Sequence, residues 1–173
     1  MLPLRLLFTL FLFVSAHSAI ACSCGSAGEF LTVAPRSGFV ALVKVTKYTS
    51  FKSIYDKQIP MSMEVEVIDV YKGVETRKTI TVWGDNGWLC RPYLSQFDTG
   101  RYYVIAFHQA SDGSKGYVHT NEKPTDYAIS ICGDYWLSAD TDKQKAAGAV
   151  TSKQREILLS DLRKNLSHQS TNK

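Results

Sequence analysis

The chain has 173 residues, of which 45% are hydrophobic and 12% aromatic, and its formal net charge is +4. This composition excludes an intrinsically disordered chain, and the mild charge argues against a nucleic-acid-binding protein. Residues 1–21 have the pattern of a secretory signal peptide, because Arg5 precedes the apolar run Leu6–Val14 and Ala19-Ile20-Ala21 is a small-x-small cleavage site. We therefore expect an exported domain that begins at Cys22 and is secreted and extracellular, or periplasmic or envelope-located in a bacterium. The apolar run is too short for a transmembrane helix, and no later stretch is long enough.

Alternating apolar residues then predict an all-β domain of short strands. In the first predicted strand, Gly38–Thr49, four apolar residues share one face: Phe39, Ala41, Val43 and Val45. The other predicted strands are Met61–Tyr71, Thr79–Trp83, Arg101–Phe107, Gly116–Thr120 and Tyr127–Cys132. Arg101–Phe107 is apolar on both faces, so we expect a central strand there.

One helix is predicted near the end of the chain. Thr151 and Gln154 match a capping box, and Leu158, Leu162 and Leu166 recur at helical spacing. A turn or short helix is expected within residues 22–34. Five or six short strands with a terminal helix favour a small β-barrel over a sandwich, with the domain at residues 22–166 and a polar tail at 167–173.

The four cysteines are Cys22, Cys24, Cys90 and Cys132. An even number of cysteines in an exported chain predicts two disulfides. A Cys22–Cys24 bridge is disfavoured because the ring would be strained, which leaves two pairings open. Both of them tie the start of the mature chain to its middle. A single residue between Cys22 and Cys24 is too short a spacing for a usual zinc site, so an intrinsic zinc ion is not expected.

Six motifs follow one another along the chain: Cys22-Ser23-Cys24, Phe39–Val45, Val67–Gly73, Leu89-Cys90, Asp98–Ala106 and Ile131–Trp136. This ordered set resembles the tissue inhibitors of metalloproteinases and the wider netrin-like (NTR) family. The resemblance covers residues 22–166 and implies an OB-fold Greek-key barrel with a C-terminal α-helix. It also implies the disulfides Cys22–Cys90 and Cys24–Cys132. The chain lacks the third disulfide of the inhibitory domain and the cysteine-rich C-terminal domain, and Ser26 replaces a frequent proline, so it resembles a reduced, single-domain member.

The resemblance implies a protein inhibitor of zinc metalloproteases, without enzymatic activity of its own. The free amine and carbonyl of Cys22 would chelate the catalytic zinc of the target, where such proteases keep an exchangeable water. An α-amino group ordinarily has a pKa of about 7.7 to 8.0, so a neutral fraction exists near pH 7. The inhibitor would have no cofactor of its own and would share the target's zinc. The protease-binding residues would be Cys22, Ser23, Cys24, Gly25, Asn86, Gly87, Trp88 and Leu89, with Trp88 as an aromatic anchor.

Simpler interpretations apply to several of these residues. Residues 85–87 also match an ordinary tight turn, and Trp88 also suits packing at a barrel end. Trp83 and Trp136 are expected in the core. Three lysines near Tyr48 and Tyr55 are expected on a solvated loop, with a patch for acidic glycans as the alternative: Lys47, Lys52 and Lys57. Asn165-Leu166-Ser167 is a glycosylation sequon within the predicted helix.

The main rival function is a non-inhibitory secreted NTR-type module that binds a protein, or an extracellular-matrix or cell-surface glycan. A lipid-anchored envelope form is a second rival, because Ala19–Cys22 loosely resembles a bacterial lipobox. An enzyme is not expected, since no His/Ser/Asp constellation and no nucleotide-binding loop occurs in the sequence. We expect a monomer.

Overall fold

The structure is a computed structural model that describes residues 24–114 and 118–168. Its regular elements are α1 (Phe30–Val33), β1 (Phe39–Ile54), β2 (Lys57–Lys72), β3 (Thr79–Trp83), β4 (Tyr102–Gln109), β5 (Tyr127–Ala128), β6 (Trp136–Asp140), β7 (Lys145–Ala147), β8 (Glu156–Leu158) and α2 (Leu159–His168). Short 3-10 turns lie at Ala34–Arg36 and Leu94–Gln96. The predicted signal peptide, Cys22, Ser23 and residues 169–173 of the predicted tail lie outside the described residues.

Five strands close into a barrel. The order is β1-β2-β3-β5-β4, and β4 returns to pair with β1. The β3–β5 pair is parallel, and the other four pairs are antiparallel. A closed barrel of this kind removes the free edges that a small open sheet would leave. The predicted all-β class, an OB-like barrel with a flanking C-terminal helix, is confirmed.

The hairpin of β1 and β2 is the largest element of the barrel. Tyr55 and Asp56 form its two-residue turn with φ values of +50° and +60°, the backbone that matches the right-handed twist of a hairpin. Several register shifts interrupt the pairing of the two strands, including one between Leu42 and Val43. Such bulges bend a strand and strengthen its twist, which lets β1 pair with β2 on one side and β4 on the other.

The core fills the barrel and extends beneath α1 and α2. The predicted inward face of β1 is buried, since Phe39, Ala41, Val43 and Val45 are all 4% exposed or less. The α1 helix confirms the turn or short helix expected within residues 22–34, and it inserts Phe30 into the same core.

The helix starts later than the capping-box pattern predicts. Gln154 donates its backbone N–H to Thr151 Oγ1 at 3.0 Å, but this contact closes a turn, and the chain then continues into β8. Leu158 therefore lies in an edge strand and is 44% exposed, whereas Leu162 and Leu166 on α2 are fully buried. The same side-chain contact stabilises a turn as well as a helix start, so the local signal does not separate the two.

Two predicted strands are also corrected. Residues 118–120 of the predicted strand Gly116–Thr120 are not in a strand, and residues 116–117 lie outside the described ranges. The predicted strand Tyr127–Cys132 is regular only at Tyr127–Ala128, because the chain then turns toward the Cys132 disulfide. Strands β6 to β8 were not predicted. The first of them, β6, pairs with β4 from Tyr102 to Ile105, and β7 and β8 continue the sheet from β6.

Candidate binding site at the disulfide end of the barrel

Three cysteine sulfurs meet at one end of the barrel. Cys24 and Cys132 form a disulfide that joins residues 108 positions apart, which confirms this predicted pair. The Cys90 sulfur lies within 4.8 Å of both other sulfurs, and Cys90 is also disulfide-bonded. Its predicted partner, Cys22, lies outside the described residues. Three chain segments are therefore gathered at this end: the segment that begins at Cys24, the segment around residue 90 and the segment around residue 132.

The start of the domain is held along its length by backbone hydrogen bonds. Ala27 donates its N–H to the carbonyl of Cys132 at 2.6 Å, and Asp134 donates to the carbonyl of Gly28 at 3.0 Å. The two segments run so close that a Cβ at Gly133 would lie 2.9 Å from the Gly28 oxygen. These contacts and the disulfide fix the path of the chain, while Cys24 and Gly25 stay exposed at its beginning.

The second segment is a loop, residues 84–91, which we call the Trp88 loop. Asp85 accepts the backbone N–H of Leu89 at 2.7 Å, and Asn86 accepts that of Trp88 at 3.1 Å. Gly87 has φ +99°, a left-handed backbone that favours glycine. The predicted tight turn is thus present, and it displays an indole that is 72% exposed. Trp88 does not pack into the barrel end.

Two exposed apolar residues beside this loop were not predicted as part of a site. Ile131 donates its N–H to the Cys90 carbonyl at 3.2 Å and is 43% exposed. Tyr93 is 44% exposed, and its pKa is raised by partial burial and by the nearby Asp85 carboxylate. A sequence pattern does not distinguish such residues from core residues, because exposure depends on which segments the fold brings together. We call Cys24, Gly25, Asn86–Leu89 and Ile131 the binding edge.

Buried charges lie behind the Trp88 loop. Arg91 makes two hydrogen bonds to the carboxylate of Glu122, whose side chain is fully buried. Burial opposes ionisation of Glu122, but hydrogen bonds from Arg91 and from the Ser111 amide hold its pKa below the ordinary value. His119 contacts the Gly84 carbonyl at 2.8 Å, and burial lowers the pKa of its ring. No motif indicated this network, because Arg91 and Glu122 are 31 residues apart.

The two other tryptophans pack in or against the hydrophobic core. Trp83 is 5% exposed and donates its indole N–H to Asp126 at 2.9 Å, as expected for a core residue. Trp136 is half-buried, and its ring centroid lies 5.3 Å from that of Phe97. Their surroundings differ from that of Trp88, which is the one strongly exposed tryptophan in the described part of the chain.

The three lysines expected on a loop lie on the β1–β2 hairpin instead. Lys47 and Lys52 belong to β1, and Lys57 begins β2. Lys47 is 3.5 Å from Glu64, so this ion pair offsets part of the positive charge. The predicted strands are shorter than β1 and β2 because polar residues dominate the part of the hairpin that extends beyond the barrel. In that part the two strands pair only with each other.

Among the described residues, the one close group of metal-ligand types is Cys24, Cys90 and Cys132. All three sulfurs are in disulfides, whereas a metal ligand must be a thiolate. The arrangement therefore fits a covalent clamp.

No protein-family model matches the chain, and no curated protein matches it. Within the described ranges, no helix combines the length and apolar character needed to cross a membrane.

Proposed function

We propose that the chain is a secreted inhibitor of zinc metalloproteases whose mature N-terminus binds the catalytic zinc of the target. The amine nitrogen and carbonyl oxygen of Cys22 would occupy the position of the zinc-bound water. Ser23 would enter the specificity pocket beside the metal. The observation that carries the proposal is the position of Cys24, which is exposed, disulfide-bonded and clustered with Cys90 beside the Trp88 loop.

The rigidity of the binding edge supports this proposal. A peptide that enters a protease cleft normally loses conformational freedom, and this loss weakens binding. Here the Cys24–Cys132 disulfide and the Ala27 hydrogen bond already restrict the segment next to Cys22. The Trp88 loop is ordered by its own Asp85 and Asn86 side chains. A preordered edge loses little entropy when a partner binds.

The surface chemistry of the edge also suits a protein partner. Trp88 is 72% exposed and Ile131 is 43% exposed. Aromatic residues of this kind are frequent anchors at protein interfaces, and they form the centre from which water is excluded. A zinc chelate at the leading residue with an aromatic anchor beside it would give two separate contributions to affinity.

The chemistry of the leading residue completes the proposal. Cleavage after Ala21 would leave Cys22 with a free α-amino group, which can form a five-membered chelate together with its own carbonyl. Zinc favours the neutral amine by binding it, so protonation near pH 7 weakens the contact without preventing it. The sulfur of Cys22 would remain in its predicted bridge to Cys90.

The test compares three forms of the mature protein against a panel of zinc metalloproteases with fluorogenic substrates. One form begins at Cys22, one carries an added Ala before Cys22, and the control carries the same Ala after Lys173. We expect the N-terminal addition to raise the inhibition constant by about 100-fold or more, as for loss of a central contact. The C-terminal addition should change nothing.

Equal inhibition by all three forms would contradict the zinc-chelation mechanism. Absence of inhibition by the form that begins at Cys22, across the whole panel, would contradict the proposed function. The chain would then be better described as a non-inhibitory NTR-type module. Intact mass of the secreted protein also excludes or establishes lipidation at Cys22, which would consume the amine.

A further inference from the structure

A buried ion pair anchors the far end of the Trp88 loop. The two terminal nitrogens of Arg91 lie 3.0 and 2.7 Å from the two carboxylate oxygens of Glu122. The Arg91 side chain is 11% exposed, and that of Glu122 is 0% exposed. The same carboxylate accepts backbone N–H groups from Ser111 at 2.9 Å and His119 at 3.3 Å. Glu122 therefore ties one residue of the Trp88 loop to two points of the segment behind it.

The near end of the loop is anchored to the same segment. The His119 Nε2 atom is 2.8 Å from the Gly84 carbonyl oxygen, and the ring stacks on Trp83 at a centroid distance of 4.8 Å. His119 is in turn linked to Glu122 through its backbone, because Glu122 donates its N–H to the His119 carbonyl at 3.0 Å. The two attachments stand at the first and last residues of the loop that displays Trp88.

A stability role alone is a weak explanation for this arrangement. Replacement of a buried ion pair by apolar residues of similar volume is often neutral or stabilising. What the pair provides is a fixed geometry, since a two-point contact between a planar guanidinium and a carboxylate defines both distance and orientation. The residue held by this contact, Arg91, follows Cys90 directly.

We propose that Glu122 is a positioning residue, which acts through Arg91 and His119 to hold Trp88 in the orientation that a protein partner meets. The inference deepens the proposed function and rests on it for the identity of the partner, a zinc metalloprotease. The disulfide of Cys90 holds one residue of the Trp88 loop, and Glu122 adds attachments at both ends of the loop, through Arg91 and through His119.

The first arm of the test needs no partner. Amide hydrogen exchange at Trp88 and Leu89 is measured in the full mature protein and in two variants, Glu122→Gln and the apolar pair Arg91→Met with Glu122→Leu. The second variant keeps the proposal testable if the first leaves Arg91 too poorly compensated to fold. We expect exchange at the two amides to accelerate by about tenfold, as expected for local opening of a loop. The control, Asp140→Asn, changes the last residue of β6, removes its exposed ion pair with Lys143 and should leave both amides unchanged.

The second arm is a double-mutant cycle in protease inhibition. We expect the Glu122 variant to weaken inhibition by about tenfold when Trp88 is present, from the added cost of ordering the loop. In a Trp88→Ala background the same change should have an effect of less than about twofold, because its route of action is gone. A merely structural role would give equal losses in both backgrounds.

The two arms separate failure of this inference from failure of the proposed function. If no protease in the panel binds the wild-type protein, the proposed function fails and the exchange measurement alone decides the positioning role. Unchanged exchange at Trp88 and Leu89 in a folded variant would overturn the positioning role. Equal losses of inhibition in the two backgrounds would overturn it as well.

Discussion

Removal of the Cys24–Cys132 disulfide should cost a large part of the stability of the domain. The bridge closes a segment of 108 residues. The chain-entropy relation for a loop of that length gives about 5 kcal/mol at 25 °C. Domains of this size are commonly stable by about 5 to 15 kcal/mol, so the loss is large relative to the total. The start of the domain would then be held by the predicted Cys22–Cys90 bridge and by backbone contacts such as that between Ala27 and Cys132.

Urea unfolding followed by tryptophan fluorescence measures this loss. The variant Cys24→Ser with Cys132→Ser should lower the midpoint by roughly 2.5 M, given a slope of about 2 kcal/mol per molar urea. The matched control is Cys24→Ala with Cys132→Ala, which removes the same bridge with different side chains and should lose a similar amount. A loss below about 1 kcal/mol in both variants would refute the reasoning, because the bridge would then restrict the unfolded chain very little.

Three further predictions concern the barrel and its helix. Gly73 and Gly100 share a left-handed φ near +80°, but only at Gly73 would a Cβ meet a backbone oxygen, at 2.4 Å. Gly100→Ala should therefore lower the free energy of unfolding, measured in urea, by about 1 kcal/mol, and Gly73→Ala by about 3 kcal/mol or more. Equal losses would contradict the expected clash at Gly73. Leu162→Ala should cost about 2 to 5 kcal/mol because Leu162 is fully buried, whereas Leu158→Ala should cost less than about 1 kcal/mol. A larger cost for Leu158→Ala would contradict this and would indicate that Leu158 is buried on a helix, as the capping-box pattern predicts. Hydrogen bonds from the neighbouring arginine lower the pKa of Glu75 to about 2, so its contribution to stability is complete above pH 4.5 and is lost as the pH falls toward 2. Glu75→Gln should remove this part of the acid-side decline in urea midpoints, and an unchanged decline would show that other carboxylates cause it.

The barrel strands were predictable where a residue alternation is strong and both faces have a defined partner. Thr79–Trp83 was predicted with its observed bounds, and the inward face of β1 was assigned correctly. Strands β6 to β8 have three to five residues each and carry no alternation of their own. They form because the outer edge of β4 is available, which is a tertiary property that a local pattern does not contain.

The candidate site divides in the same way. The turn at Asp85-Asn86-Gly87 was predictable, since short polar side chains and a glycine favour it locally. The exposure of Trp88 was not, because an indole at a barrel end packs inward or outward according to the segments around it. No sequence pattern indicates the Arg91–Glu122 pair, because charged residues far apart in the chain meet only after folding. The proposed role of Cys22 comes from a resemblance to inhibitors, and no local pattern implies that role.

The most direct test of the central claim is a crystal structure of the protein that begins at Cys22 in complex with a zinc metalloprotease from the panel, with anomalous data at the zinc edge. We predict that the Cys22 amine nitrogen and carbonyl oxygen occupy the open coordination position, at about 2.0 to 2.2 Å from the zinc. A zinc ion that keeps its water, with Cys22 outside the coordination sphere, would contradict it.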